Sequence, residues 1–240
     1  MLNERLPPAW TVLCDFDGTI SLHDLTDALL DRFARPGWQS LEEDWRAGRI
    51  GSRQCMAGQI ALLDCSREEL ESFVGEAEID PGFKAFAAAL REEGVPLRIV
   101  SDGLDHAIRS VLMRHGISGV PVAASHLVQL AERRWQLAFP HGRDDCASAG
   151  ATCKCAFAEA ARGRPAPAVL MIGDGASDFC AAARADLTFA RGELLDHCIA
   201  RGLPHHAVAD FGEALRLWNS LRNDRRGDTT HDKEFAHGRR

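Results

Sequence analysis

Apolar positions follow two patterns along the chain. Short unbroken runs that stop at an acidic, polar turn occur three times, at residues 10–17 (WTVLCDFD), 95–102 (VPLRIVSD) and 168–174 (AVLMIGD). Continuous apolar runs bounded by turn residues predict strands buried on both faces, as in parallel sheets. Two weaker strands are predicted at 187–190 and 207–209. Between the runs the spacing becomes helical, as at 105–115, which Gly116 stops, and at 156–162. Strands alternating with helices predict an α/β fold, a doubly wound, Rossmann-like parallel sheet. Ligands of such sheets sit beyond the carboxyl ends of the strands, where all three polar turns fall.

Residues 22–81 break the alternation. Helical stretches at 23–34, 41–47, 52–63 and 66–75 follow one another with no strand among them, which predicts a small all-helical cap inserted into the core. The core is then 10–21 plus 82–221. Phe33, Trp38, Trp45 and Met56 read as the hydrophobic core of that cap rather than as a pocket lining. Residues 120–139 alternate around Ala131 and Glu132 and predict a hairpin. From 222 to 240 the chain is charged and nearly free of apolar residues, which predicts a disordered tail.

Composition narrows the function classes. With 45% hydrophobic residues among 240, the chain can bury a core without staples. A formal charge of −7 disfavours a phosphate backbone, so no nucleic-acid partner is expected. No run approaches the roughly 20 apolar residues that span a bilayer, and the first ten residues lack the order of a signal peptide, so a cytoplasmic protein, monomer or homodimer, is expected. Its eight cysteines are scattered and need not pair.

Asp15 and Asp17 stand two residues apart at a strand end, so both face one side. Asp15-Phe16-Asp17-Gly18-Thr19 resembles the first motif of the haloacid dehalogenase superfamily of phosphohydrolases. Val100-Ser101-Asp102-Gly103 resembles the second, Lys154 stands like the third, and Gly173-Asp174-Gly175-Ala176-Ser177-Asp178 resembles the fourth. All four occur in order. The chemistry suits these residue types. A carboxylate held in line with a phosphoryl group can attack it and split one hard hydrolysis into two easier steps. Asp15 is the expected nucleophile. Asp17 would protonate the departing alkoxide and later deprotonate the attacking water. The resemblance further implies Mg²⁺, held by the side chains of Asp15 and Asp174, the backbone carbonyl of Asp17 and, through water, Asp178. Ser101, the Gly103 amide and Lys154 would hold the phosphate of a small-molecule ester.

Within the superfamily the helical cap resembles that of the phosphoserine phosphatase branch. Cys14-Asp15-Phe16-Asp17-Gly18-Thr19-Ile20, Ile99-Val100-Ser101 and Leu187-Thr188-Phe189-Ala190-Arg191 resemble its methionine-salvage members, which act on a hydroxy-keto-methylthiopentenyl phosphate. Phosphoserine phosphatases carry a cap Arg for the substrate carboxylate, and Gln59 occupies that place here. Asp24 stands where those enzymes put an acidic residue facing the substrate amine. A neutral keto or enol phosphate is therefore the expected substrate. The alternatives are phosphoserine itself and a signalling module whose aspartate keeps its phosphate. His141, Cys146, Cys153 and Cys155 offer four soft ligands around Lys154, but their spacing is poor for zinc and free thiols are expected.

Overall fold

The computed structural model describes residues 10–146, 148–162 and 167–231, with side chains as far as Arg222. Seven strands form one sheet in the order β4-β3-β2-β1-β5-β6-β7. These are β1 (Trp10–Cys14), β2 (Leu97–Leu104), β3 (Val122–Ala131), β4 (Arg134–Ala138), β5 (Ala168–Gly173), β6 (Leu187–Ala190) and β7 (His205–Ala207). All neighbours are parallel except β3 and β4, the predicted hairpin, which closes one edge antiparallel. The sheet is therefore mixed rather than wholly parallel. β1 ends three residues earlier than predicted, although the Asp15 amide still donates to Ile172 O at 2.9 Å. β7 lies two residues before its predicted place.

The chain winds from β1 toward β2 on one side and resumes at β5 on the other. The topological switch point thus falls between β1 and β5, where ligands of such sheets bind. Helices α5 (Phe83–Glu92), α6 (Asp105–Arg114), α7 (Lys154–Ala161), α8 (Phe179–Ala182), α9 (Gly192–Arg201) and α10 (Phe211–His231) flank the sheet. Phe83 and Phe86 of α5 meet Phe211 of α10 at ring centroid distances of 4.9 and 5.4 Å. Burying each such ring contributes about 2 kcal/mol.

The tail expected from Arg222 onward begins inside helix α10, which continues to His231. Phe211, Ala214 and Trp218 anchor its first half in the core, and a packed nucleus lets a helix propagate into a polar stretch at little cost per residue. Residues 232–240 lie outside the described residues.

Helices α1 (Leu25–Phe33), α2 (Trp38–Arg46), α3 (Ser52–Ala61) and α4 (Arg67–Glu76), in the segment expected to form a cap, lie between β1 and α5. The segment's two connections pair with each other through an antiparallel bridge between Ser21 and Ile79, flanked by Asp80 N–H to Ile20 O at 2.8 Å. Ser66 and Glu69 exchange hydrogen bonds as a capping box and start α4. Leu29, Leu30, Trp38, Met56 and Ile60 continue the same buried cluster that fills the sheet face.

Candidate active site

Asp15 directly follows β1, and Asp174 directly follows β5, so the switch point brings the two carboxylates together. One carboxylate oxygen from each of them and one from Asp178 lie within 4.8 Å of one another. Lys154, the first residue of α7, reaches under them. Its Nζ donates to Asp15 Oδ2 and to Asp178 Oδ1, both at 2.6 Å, and to Ser177 Oγ at 2.9 Å. Burial alone would pull the Lys154 ammonium down, but Asp15 and Asp178 outweigh it and hold it well above the usual lysine range. Burial, then the neighbouring Asp178, pushes Asp15 up to about 7, and Lys154 opposes both. Phe16 N–H donates to Asp15 Oδ1 at 2.7 Å and fixes the carboxylate plane.

Glycine is required where the loops approach these acids. Gly18 has φ +64°, and a Cβ there would come within 2.5 Å of Asp174 Oδ2. Thr19 Oγ1 donates to Asp174 Oδ1 at 2.5 Å, and Arg191 donates to the carbonyls of Gly18 and of Thr19, the latter at 2.8 Å. A Cβ on Gly103 would come within 2.1 Å of Asp17 Oδ2. Asp17 itself accepts from the amide of Leu25, at the start of α1, at 3.0 Å. Burial raises its carboxyl well above the ordinary range, with Asp24 and Asp15 adding to the effect. It therefore favours its protonated form, as a general acid needs.

Three hard carboxylates in such proximity match the oxygen donors that Mg²⁺ prefers. Burial raises the Asp174 and Asp178 carboxyls too; Asp15 adds to it at Asp174, and at Asp178 Lys154 opposes it. A divalent cation would relieve that crowding. Asp178 contributes its carboxylate to the trio itself, and its Oδ2 accepts from Asp174 N–H at 3.2 Å.

Above this floor lies a cleft of about 350 Å³, the size of a small-metabolite site. Asp15, Asp17, Ser101, Gly103 and Asp174 line it from the core, while Asp24 and Gln59 line it from the cap. Lys154 and Asp178 lie beneath the floor, acting on Asp15. The Gly103 amide donates to Ser101 Oγ at 3.0 Å, within the end of β2. Asp24 caps α1 by accepting from Asp27 N–H at 2.9 Å. Gln59 is 3% exposed, and its Nε2 donates to Glu42 Oε2 at 3.3 Å.

Several lining residues escaped the sequence reading. Asp27, Glu42 and Trp45 face the cleft, and Arg46 at its rim pairs with Glu42 at 3.0 Å and with Glu193 of the core at 3.1 Å. Trp45 thus lines the cleft and lies outside the buried core, Met56 belongs to both, and Trp38 is core as predicted. Phe33 packs half-buried against that core. The i, i+3 spacing of Asp24 and Asp27 was the one available signal for the acidic cap wall. Asp102 does more than close a turn: its carboxylate accepts from Ser52 Oγ of the cap and from Thr152 N–H, the latter at 2.7 Å. It joins α3 to the loop that carries Lys154.

Among the described residues no helix is long and apolar enough to cross a membrane. Residues 12–183 match the family of haloacid dehalogenase-like hydrolases. A 2-hydroxy-3-keto-5-methylthiopentenyl-1-phosphate phosphatase of Brevibacillus brevis is 31% identical over 219 residues, covering 89% of this chain and 96% of that protein. The bifunctional enzyme MtnB/MtnX of Bacillus licheniformis is 32% identical over 209 residues, covering 86% of this chain and 48% of its own longer one. In backbone shape the chain is similar to a substrate-bound phosphoserine phosphatase, with a TM-score of 0.67 at 18% identity and coverage of 88% and 99%. The family match spans the Asp15 loop, Lys154 and the Asp174–Asp178 loop, and the chain belongs to the haloacid dehalogenase-like hydrolases.

Proposed function

We propose that the protein is a Mg²⁺-dependent phosphomonoesterase that cleaves a small keto or enol phosphate whose non-phosphate end is uncharged, of the kind named for its methionine-salvage relatives. The observation that carries this reading is the pairing of a nucleophile floor with an acidic cap wall across one cleft. Asp15 attacks phosphorus, the ester P–O bond breaks, and the leaving alkoxide takes the proton of Asp17. A water then attacks the aspartyl-phosphate and gives its proton back to Asp17, which releases phosphate and restores Asp15. Lys154, paired to Asp15 at 2.6 Å, opposes the burial that favours protonation of that carboxylate. Mg²⁺ held by Asp15, Asp174 and Asp178, with the Asp17 carbonyl, would supply the positive charge that lets an anionic ester approach.

The cap wall bears on the substrate. A phosphoserine carboxylate would meet Asp24, Asp27 and Glu42, and the Gln59 amide beside them carries no charge. A desolvated carboxylate without a counter-ion costs on the order of several kcal/mol, which is several powers of ten in selectivity. Hydroxyl and carbonyl groups suit Gln59 and Asp24 instead. Steady-state kinetics with Mg²⁺ should give a neutral ketose or enol phosphate at least a roughly hundredfold higher kcat/KM than phosphoserine. Preference for phosphoserine would reject the substrate class, and phosphate release stopping at one equivalent would reject turnover itself.

A further inference from the structure

Away from the cleft, the described residues contain a second group of metal-ligating side chains. Cys146, Cys153 and Cys155 bring their sulfurs within 4.8 Å of one another, all three buried. The Cys153 and Cys155 sulfurs are 3.4 Å apart, and those of Cys146 and Cys155 are 4.0 Å apart. Cys180 at the start of α8 packs against the trio, and its thiol meets that of Cys155. His141, the fourth ligand that sequence proximity suggested, turns its ring onto Phe157 instead, with centroids 5.6 Å apart. Cys180 thus offers a fourth sulfur from a distant part of the chain, beside Cys155.

We infer that Cys146, Cys153, Cys155 and Cys180 form a structural zinc site that anchors the segment bearing Lys154. A tetrahedral zinc with Zn–S bonds of about 2.3 Å spaces its sulfurs about 3.8 Å apart, and the two observed separations bracket that value. Soft thiolates select zinc over the hard cation suited to the aspartates. Binding replaces four S–H bonds with four Zn–S bonds and releases four protons, leaving a net charge of −2 on the site. Arg184, also ion-paired with Glu159, lies beside it and donates to Cys180 Sγ at 3.4 Å and to Cys180 O at 3.2 Å. The arrangement also explains why the lysine is flanked by cysteines. Two sulfurs, one on each side of Lys154 in sequence, come together, while the lysine side chain between them reaches Asp15 and Asp178. A metal clamp there would fix the start of α7 without occupying the cleft.

The test uses the full chain, stripped of metal under reducing conditions and titrated with Co²⁺ as a spectroscopic stand-in for zinc. Thiolate-to-cobalt charge-transfer bands should grow and saturate near one equivalent. They should be lost in Cys146→Ser and Cys180→Ser and kept in Cys198→Ser, whose thiol lies in a separate buried cluster. Because the serine variants could fold poorly, wild-type protein is also alkylated with and without Zn²⁺. Zinc should protect four cysteines, identified by peptide mass as 146, 153, 155 and 180. Absence of thiolate bands, bands that survive both variants, protection of other cysteines, or a disulfide within the group after reduction would each overturn the site.

Discussion

The two walls of the cleft handle charge in opposite ways. On the core side every acid has an assigned counterpart: Lys154 bridges Asp15 and Asp178, Thr19 donates to Asp174, and Leu25 N–H donates to Asp17. On the cap side Asp24, Asp27 and Glu42 share the cleft with one arginine, which sits at the rim and is already paired to Glu42 and Glu193. The core wall is organised around a phosphoryl group, a demand common to every ester of this chemistry. The cap wall meets whatever lies beyond the phosphate. It is there that a substrate is accepted or refused.

The largest expected effect removes the core's attacking charge. Asp15→Asn keeps the shape but abolishes nucleophilic attack, so kcat should fall by a factor on the order of a thousand or more. The far-ultraviolet circular dichroism should stay unchanged, and activity within tenfold of wild type would contradict the assignment. A smaller and more selective effect is expected at the junction of the walls. Asp17→Asn should slow esters with poor leaving groups by roughly 10²–10⁴-fold. Nitrophenyl phosphate, whose leaving group barely needs a proton, should lose much less. Equal losses on both would remove Asp17 as the acid.

The smallest effect compares the walls through stability. Asp15 in the core and Asp27 in the cap are both pushed up to about 7, in each case chiefly by burial. A carboxyl raised in the folded state keeps its proton while the unfolded chain has lost its own. Stability therefore falls as pH rises from about 4 through 7. In chelator the Tm should drop by a few degrees between pH 5 and pH 7.5. Mg²⁺ should reverse the core's share of that drop, and Asp27→Asn should remove the cap's share. A Tm that rises over this interval would show that the acids are not crowded.

How the walls came to be legible differs as well. The core wall was readable because its acids stand where an apolar run stops and a polar turn begins. Asp15 and Asp174 directly follow β1 and β5, Asp17 lies in the turn after β1, and Ser101 lies within β2; the packing of the strands gathers them. The cap wall was readable only in part, at Asp24 and Gln59. Glu42 and Trp45 sit on a helix whose apolar face competes for one small core, so periodicity cannot distinguish a face turned to the cleft from one turned to solvent. Trp45 was assigned to the core for that reason, and it lies in the cleft.

The sequence by itself determined the order of strands and helices, the inserted cap and the identity of the charged residues at the strand ends. Those follow from local rules: unbroken apolar runs, helical spacing and the turn residues that stop them. Tertiary structure alone decided what meets across long separations. Lys154 reaches Asp15 from 139 residues away, Asp102 joins the cap to the lysine loop, and Cys180 rather than His141 completes the sulfur group. The start of α10 belongs to the same class, since it depends on Phe211 and Trp218 docking onto a core built elsewhere. Contacts between distant segments depend on how whole elements pack, and no local pattern of residues encodes which partner a given side chain will face.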